Sequence, residues 1–223
     1  MFHGRSLYHG AQGDPDAGSV VTGARVESGR LSNMSFFKKI RGEEDLRTVM
    51  TGVKMGDRVL QVGAEDPKLA AMLAAKVGLS GQAAALVPDQ GGADQVSKAA
   101  ERQGVLVEVK VAPLRTPPFA QGWFDAVVVP ELIGSMRPHE RVGTLQAVNQ
   151  VLRVGGRVVV IETAPRGGLG ALFSSRTMDP HYRNQGGAEA ALKAEGFHPV
   201  RTLAEREGWL FTEGMKPGQD AGA

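Results

Sequence analysis

Gln61, Gly63, Ala64 and Glu65 cross the junction between two kinds of sequence pattern. Before them lies a short apolar run over residues 59–62. After them, Leu69, Met72, Leu73, Lys76 and Val77 share one face of a 3.6-residue period. Strand, glycine turn and helix in that order bring backbone N–H groups and a helix N-terminus to one point, which suits an anionic group of a ligand. Turns of this kind ordinarily carry several glycines and an acid. This one has Gln61, a single glycine at Gly63, Glu65 and Pro67.

Other residues have chemistry without a diagnostic spacing. Glu131 directly follows a buried-looking run and is placed to act as a base; the alternative is a solvated residue at a helix start. His139 falls near a helix N-terminus, where a positive charge is disfavoured, and reads as surface. His181, Tyr182, Arg166, Arg176 and Arg183 occupy an irregular stretch, where each alone reads as a solvated loop residue. The three arginines together are a faint anion signal. Gly167-Gly168-Leu169-Gly170 lacks the Lys-Ser/Thr that completes a phosphate loop and reads as a flexible connection. His3, His9 and His198 have no metal-ligand spacing, and without cysteine the chain makes no disulfide or thiolate metal site, so no metal is expected.

The elements that must position these groups alternate along the chain. Helical patterns cover residues 43–53, 93–103, 138–153 and 184–195. Strand patterns cover 59–62, 82–87, 105–111, 124–129, 157–162, 197–203 and 209–212. The continuous apolar run 126–129 suits a strand buried on both faces. Pro138 suits a first helical turn, and Gly155-Gly156 reads as the stop of the helix it opens. Residues 87–92 and 163–183 read as loops. The expectation is an α/β, Rossmann-like, doubly wound sheet of seven strands, mostly parallel, with one antiparallel strand near the C-terminus. The last two strands have too little chain between them for a parallel crossover.

Three segments are expected: a disordered leader over 1–33, one domain over 34–214 and a polar tail over 215–223. Met34 is an alternative start. Residues 35–41 are basic and amphipathic; they read as a segment packing Phe36 and Phe37 onto the domain, or as a membrane-surface contact or lid. A formal charge of +2 gives no electrostatic case for nucleic acid. The apolar runs are too short to span a bilayer, no signal peptide is visible, and the absence of cysteine agrees with a cytoplasmic protein. Oligomeric state has no signature.

Residues 57–162 resemble the class I S-adenosylmethionine-dependent methyltransferases, especially the small-molecule, quinone-biosynthesis-like methylases. The resemblance is carried by Phe124-Asp125-Ala126-Val127-Val128-Val129, followed at the family's distance by Val151-Leu152-Arg153-Val154-Gly155-Gly156-Arg157-Val158-Val159-Val160. It implies S-adenosylmethionine as methyl donor and a small-molecule acceptor approaching over the carboxyl ends of the strands. It also places the donor contacts at Gln61, Gly63, Ala64, Glu65, Val87, Asp89, Leu114 and Pro130.

Several of those places hold unexpected residues. Gln61 stands where the family has an acid near the methionyl ammonium. Glu65 and Pro67 stand at glycine places, and Glu65 puts a negative charge where the methionyl carboxylate would lie. Val87 stands at the acid for the ribose hydroxyls; Asp89, two residues on, is either its substitute or an ordinary loop aspartate. Near Leu114, an apolar wall for adenine, an acceptor for the amino group is missing. Losing two or three charged hydrogen bonds costs on the order of 3–8 kcal/mol, where about 1.4 kcal/mol is a factor of ten in affinity. Two functions therefore stand side by side: methyl transfer from a divergent donor site to a small molecule, or a non-catalytic binding or partner module on the same scaffold. Methyl transfer needs alignment more than a fixed catalytic pair, so no catalytic residue is assigned.

Overall fold

The computed structural model describes residues 45–164 and 179–218. The leader, the amphipathic stretch 35–41, His3, His9, Arg166, Arg176, Gly167–Gly170 and the end of the tail lie outside the described residues. In chain order the elements are α1 Leu46–Met50, β1 Arg58–Val62, α2 Pro67–Val77, β2 Gln82–Val87, α3 Gln90–Gln103, β3 Glu108–Val111 and β4 Phe124–Pro130. They continue with a 3₁₀ turn at Ile133–Ser135, α4 Pro138–Val151, β5 Leu152–Thr163, α5 Pro180–Asn184, α6 Gly187–Ala194, β6 Val200–Arg206 and β7 Trp209–Met215.

One seven-stranded sheet runs in the order β3-β2-β1-β4-β5-β7-β6. β3, β2, β1, β4 and β5 pair in parallel. β7 enters antiparallel between β5 and β6, as the short final connection requires. The central strands are apolar on both faces because both are covered. Leu60, Val62, Val127, Val129, Val158 and Val160 pack against Leu145, Val148 and Val151 of α4 and Leu192 of α6. Val59, Ala126, Val128, Val159 and Ile161 face Leu69, Leu73 and Val77 of α2 and Phe211 of β7.

Several boundaries differ from the sequence reading, each for a visible reason. α3 begins at Gln90 because the Asp89 side chain caps it, accepting from the Gly92 N–H at 2.8 Å. The helix expected over 184–195 is broken by Gly186 and Gly187, which take φ of 98° and 59°. The first helix stops at Met50, short of Val53, and β3 starts only at Glu108, so Val105 lies outside it. The sixth strand starts at Val200, although Phe197 is fully buried.

Gly155-Gly156 does not stop α4. That helix ends at Val151, and both glycines lie inside β5, where a Cβ on Gly156 would press on the carbonyls of Arg153 and Asp125. The helix end is closed instead by Lys216, whose ammonium donates to the carbonyls of Asn149 at 2.7 Å and Leu152 at 2.8 Å. Met215 and Lys216 are thus structural, and the tail begins after them. Lys216→Met removes both bonds and leaves the carbonyls to weaker partners. Denaturant unfolding is expected to show a loss of about 1–3 kcal/mol; an unchanged midpoint would show that the cap is idle.

Candidate functional site

The carboxyl edge of the sheet gathers two groups of residues. At the end of β1, Gly63 turns with φ of 93° and donates its N–H to the Leu86 carbonyl at 2.8 Å, tying the turn to β2. Gln61 is 1% exposed, and its side-chain amide donates to the carbonyls of Gly63 at 3.2 Å and Asp66 at 3.0 Å. The amide thus staples the turn from inside, while its own Oε1 is buried with no hydrogen-bond partner among the described residues. Asp66 caps α2, accepting from the Leu69 N–H at 3.1 Å, and pairs with Arg47 of α1. The Glu65 side chain folds back so that its carboxylate covers the open face of Gly63, where a Cβ would collide with it and press on Leu132.

The neighbouring positions close around this turn. Val87 is buried at the end of β2, its carbonyl accepting from the Ala112 N–H at 3.0 Å. Ala64 sits against it across Gly92, where an added Cβ would lie 2.9 Å from Ala64 and 3.3 Å from Val87. Asp89 is exposed and committed to capping α3. Pro130 is buried at the end of β4, paired with Ile161. Leu114 is half-buried and packs on the large cluster beneath α4. Gly63, Ala64, Glu65 and Val87 therefore come together, Pro130 closes the neighbouring strand, and Leu114 lies beyond the end of β3.

The second group lies past β4 and β5. Glu131 holds φ of 50°, a strained value for a residue with a side chain, fixed by its N–H donating to Ile161 at 2.7 Å. Its Oε2 accepts from the Thr163 hydroxyl at 3.0 Å. Beside it, Glu162 ends the apolar run of β5, 3% exposed, and accepts from the Tyr182 hydroxyl at 2.9 Å. Burial pushes its carboxyl up to about 7; the Tyr182 hydrogen bond opposes the rise, and the Glu131 charge adds to it. Burial and the same neighbour raise the Tyr182 phenol well above its ordinary range. A carboxyl poised near neutrality can exchange a proton with a bound hydroxyl or amine.

Arg141 holds this corner in place. It donates to the carbonyls of Ile133 at 2.8 Å and Met136 at 2.9 Å, lies 4.1 Å from the Tyr182 ring centre and reaches Asp179 at 3.7 Å. The sequence reading missed both Arg141 and Glu162. The apolar spacing of Val142, Leu145, Val148, Val151 and Leu152 suggests a single buried face for α4, but Val142 is exposed and Arg141 is buried. The available signals were a carboxylate closing an apolar strand and an arginine in helical register with Leu145 and Val148. His139 and His181 are exposed; the His181 ring meets Gln185, and its backbone N–H donates to Asp179.

The methyltransferase-domain family matches residues 59–156, from β1 into β5. The match covers somewhat less than half of the chain, so the chain is similar there to a methyltransferase domain. The fold recurs in a SAM-dependent methyltransferase from Aquifex aeolicus, at 16% identity and a TM-score of 0.60, over 80% of this chain and 97% of that one. The apo form of the SAM-dependent methyltransferase SibL matches at 21% identity and 0.59, over 84% and 56%. The [4+2]-cyclase SpnF matches at 17% and 0.59, over 78% and 79%. No curated protein sequence matches the chain. At these identities the structural likeness establishes the fold alone.

Because the Glu162 carboxyl is raised from 4.5 to about 7, the folded state binds more protons than the unfolded one between those values. Its contribution is fully present below pH 4.5 and is lost as pH rises through 7. Relative to Glu162→Gln, the wild type is expected to lose on the order of 3 kcal/mol of unfolding free energy across that window. Parallel profiles for the two proteins would contradict the assignment.

Proposed function

We propose that this protein is an S-adenosylmethionine-dependent methyltransferase for a small-molecule acceptor, with a weakened hold on its donor. The observation carrying this reading is the juxtaposition, across β1, β4 and β5, of a glycine turn suited to the donor with a buried carboxyl poised for an acceptor. No helix among the described residues is long and apolar enough to cross a membrane.

The cradle fits the donor incompletely. The Gly63 backbone has the needed turn, but the Glu65 carboxylate occupies its face, so a methionyl carboxylate meets both bulk and like charge. Gln61 spends its amide on the turn's own carbonyls, and Val87 presents no acceptor to a ribose. On the acceptor side, Tyr182 orients Glu162 and Thr163 orients Glu131. The same Glu65 placement supports the second reading, a methyltransferase-fold module without turnover.

Calorimetric titration with S-adenosylmethionine and S-adenosylhomocysteine separates the two. We expect binding weaker than micromolar in the wild type, tightening at least tenfold in Glu65→Gly, which removes both the bulk and the charge. Absence of binding at millimolar ligand in both proteins would remove the enzyme reading. Micromolar wild-type binding would remove the claim of a weakened site.

A further inference from the structure

We propose that the cavity between β5, β7, β6 and the α5–α6 pair is a ligand pocket anchored on the Glu162 carboxylate, taking a small molecule that presents an O–H or N–H group. Calling that molecule the methyl acceptor rests on the function proposed above; the pocket itself rests on geometry.

The cavity measures about 290 Å³, room for roughly one ring and a short substituent at the small end of ligand pockets. Its apolar wall is Leu210 and Ala188, and the hydroxyls of Thr202 and Thr212 lie on the strand side. Glu162 lines it from the carboxyl end of β5 and is 3% exposed. Among the described residues Tyr182 donates to Oε1 of that carboxyl, and Oε2 is not one of the buried side-chain oxygens left without a partner. With one described donor for two oxygens, the carboxyl keeps acceptor capacity that a ligand O–H or N–H entering the cavity can take up.

The charge around the cavity selects against anions. Glu162 lines it, and Glu131 adds negative potential from the next strand end. Of the cations, Arg141 is held behind the Tyr182 ring by two carbonyls and Asp179, and Lys193 pairs with Glu189 at 2.6 Å. Arg183 is on the wall and is itself engaged. A neutral or cationic donor group therefore enters at lower electrostatic cost than a carboxylate.

The test uses the full chain and backbone amide NMR, with phenol and benzylamine as probes, benzoate as the anion control and toluene as the apolar control, all at millimolar concentration. Phenol or benzylamine should shift the amides of Gly187, Leu210 and Thr212, with toluene and benzoate at least fivefold weaker. Glu162→Gln should weaken the probe at least fivefold while keeping the folded spectrum. Thr202→Phe, on the exposed edge strand, should abolish it by filling the cavity. Equal shifts from toluene or benzoate, no shift from any probe, or an unchanged affinity in both variants would overturn the proposal. Donor titration on the same samples keeps the two claims apart. Probe binding without donor binding removes methyl transfer and keeps the pocket; donor binding without probe binding does the reverse.

Discussion

Parallel backbone pairing holds the carboxyl ends of β1, β4 and β5 level, and every functional group described here depends on that alignment. Gln61 pairs with Val128, and Pro130 with Ile161, so the turn after β1 and the residues after β4 and β5 emerge on one edge. The amino ends are locked by Asp125. It accepts from the Arg58 N–H at 2.8 Å and from the Arg153 side chain at 2.6 Å, joining β1, β4 and β5 through one carboxylate. Bonds to a charged acceptor are worth roughly 1.5–3 kcal/mol each where they are shielded from water. Arg153 is half-exposed, so its share is at the lower end.

Above that frame the two sides of the edge are built on different principles. The β1 turn is self-contained: Gln61 binds its carbonyls, Asp66 caps its helix, and Glu65 lies on its glycine. Polar groups that could serve a ligand serve the protein instead. The β4–β5 side leaves valence open. Arg141, Tyr182 and Thr163 each fix a neighbour in place, while Glu162 lines a cavity with Tyr182 as its one described donor. A buried carboxyl kept in that condition costs stability, and its raised proton affinity is the signature of that cost.

Much of this was legible in the residues. The apolar runs at 59–62, 82–87 and 126–129 announced buried parallel strands because both their faces are covered, and the short link before Trp209 required a reversed strand. The turn residues Gln61, Gly63 and Glu65 were found because strand, glycine and helix follow one another locally. What escaped was non-local. Nothing near Lys216 in the chain says that its ammonium will close a helix ending at Val151. Arg141 escaped because its burial depends on carbonyls of the preceding loop, which a hydrophobic period does not count. Glu162 read as a strand end until α5 placed Tyr182 over it.

The central claim, which rests on the proposed function, is that the chain keeps the fold shared with methyltransferases while Glu65 occupies the face of the Gly63 turn that would take the donor. Crystals of the wild type and of Glu65→Gly, both grown at one S-adenosylhomocysteine concentration just sufficient to saturate the variant, test it directly. The account predicts the nucleoside product ordered over Gly63 in the variant, and Glu65 still lying on the turn in the wild type without it. Wild-type crystals holding the product over Gly63, with the Glu65 side chain unmoved, would contradict it.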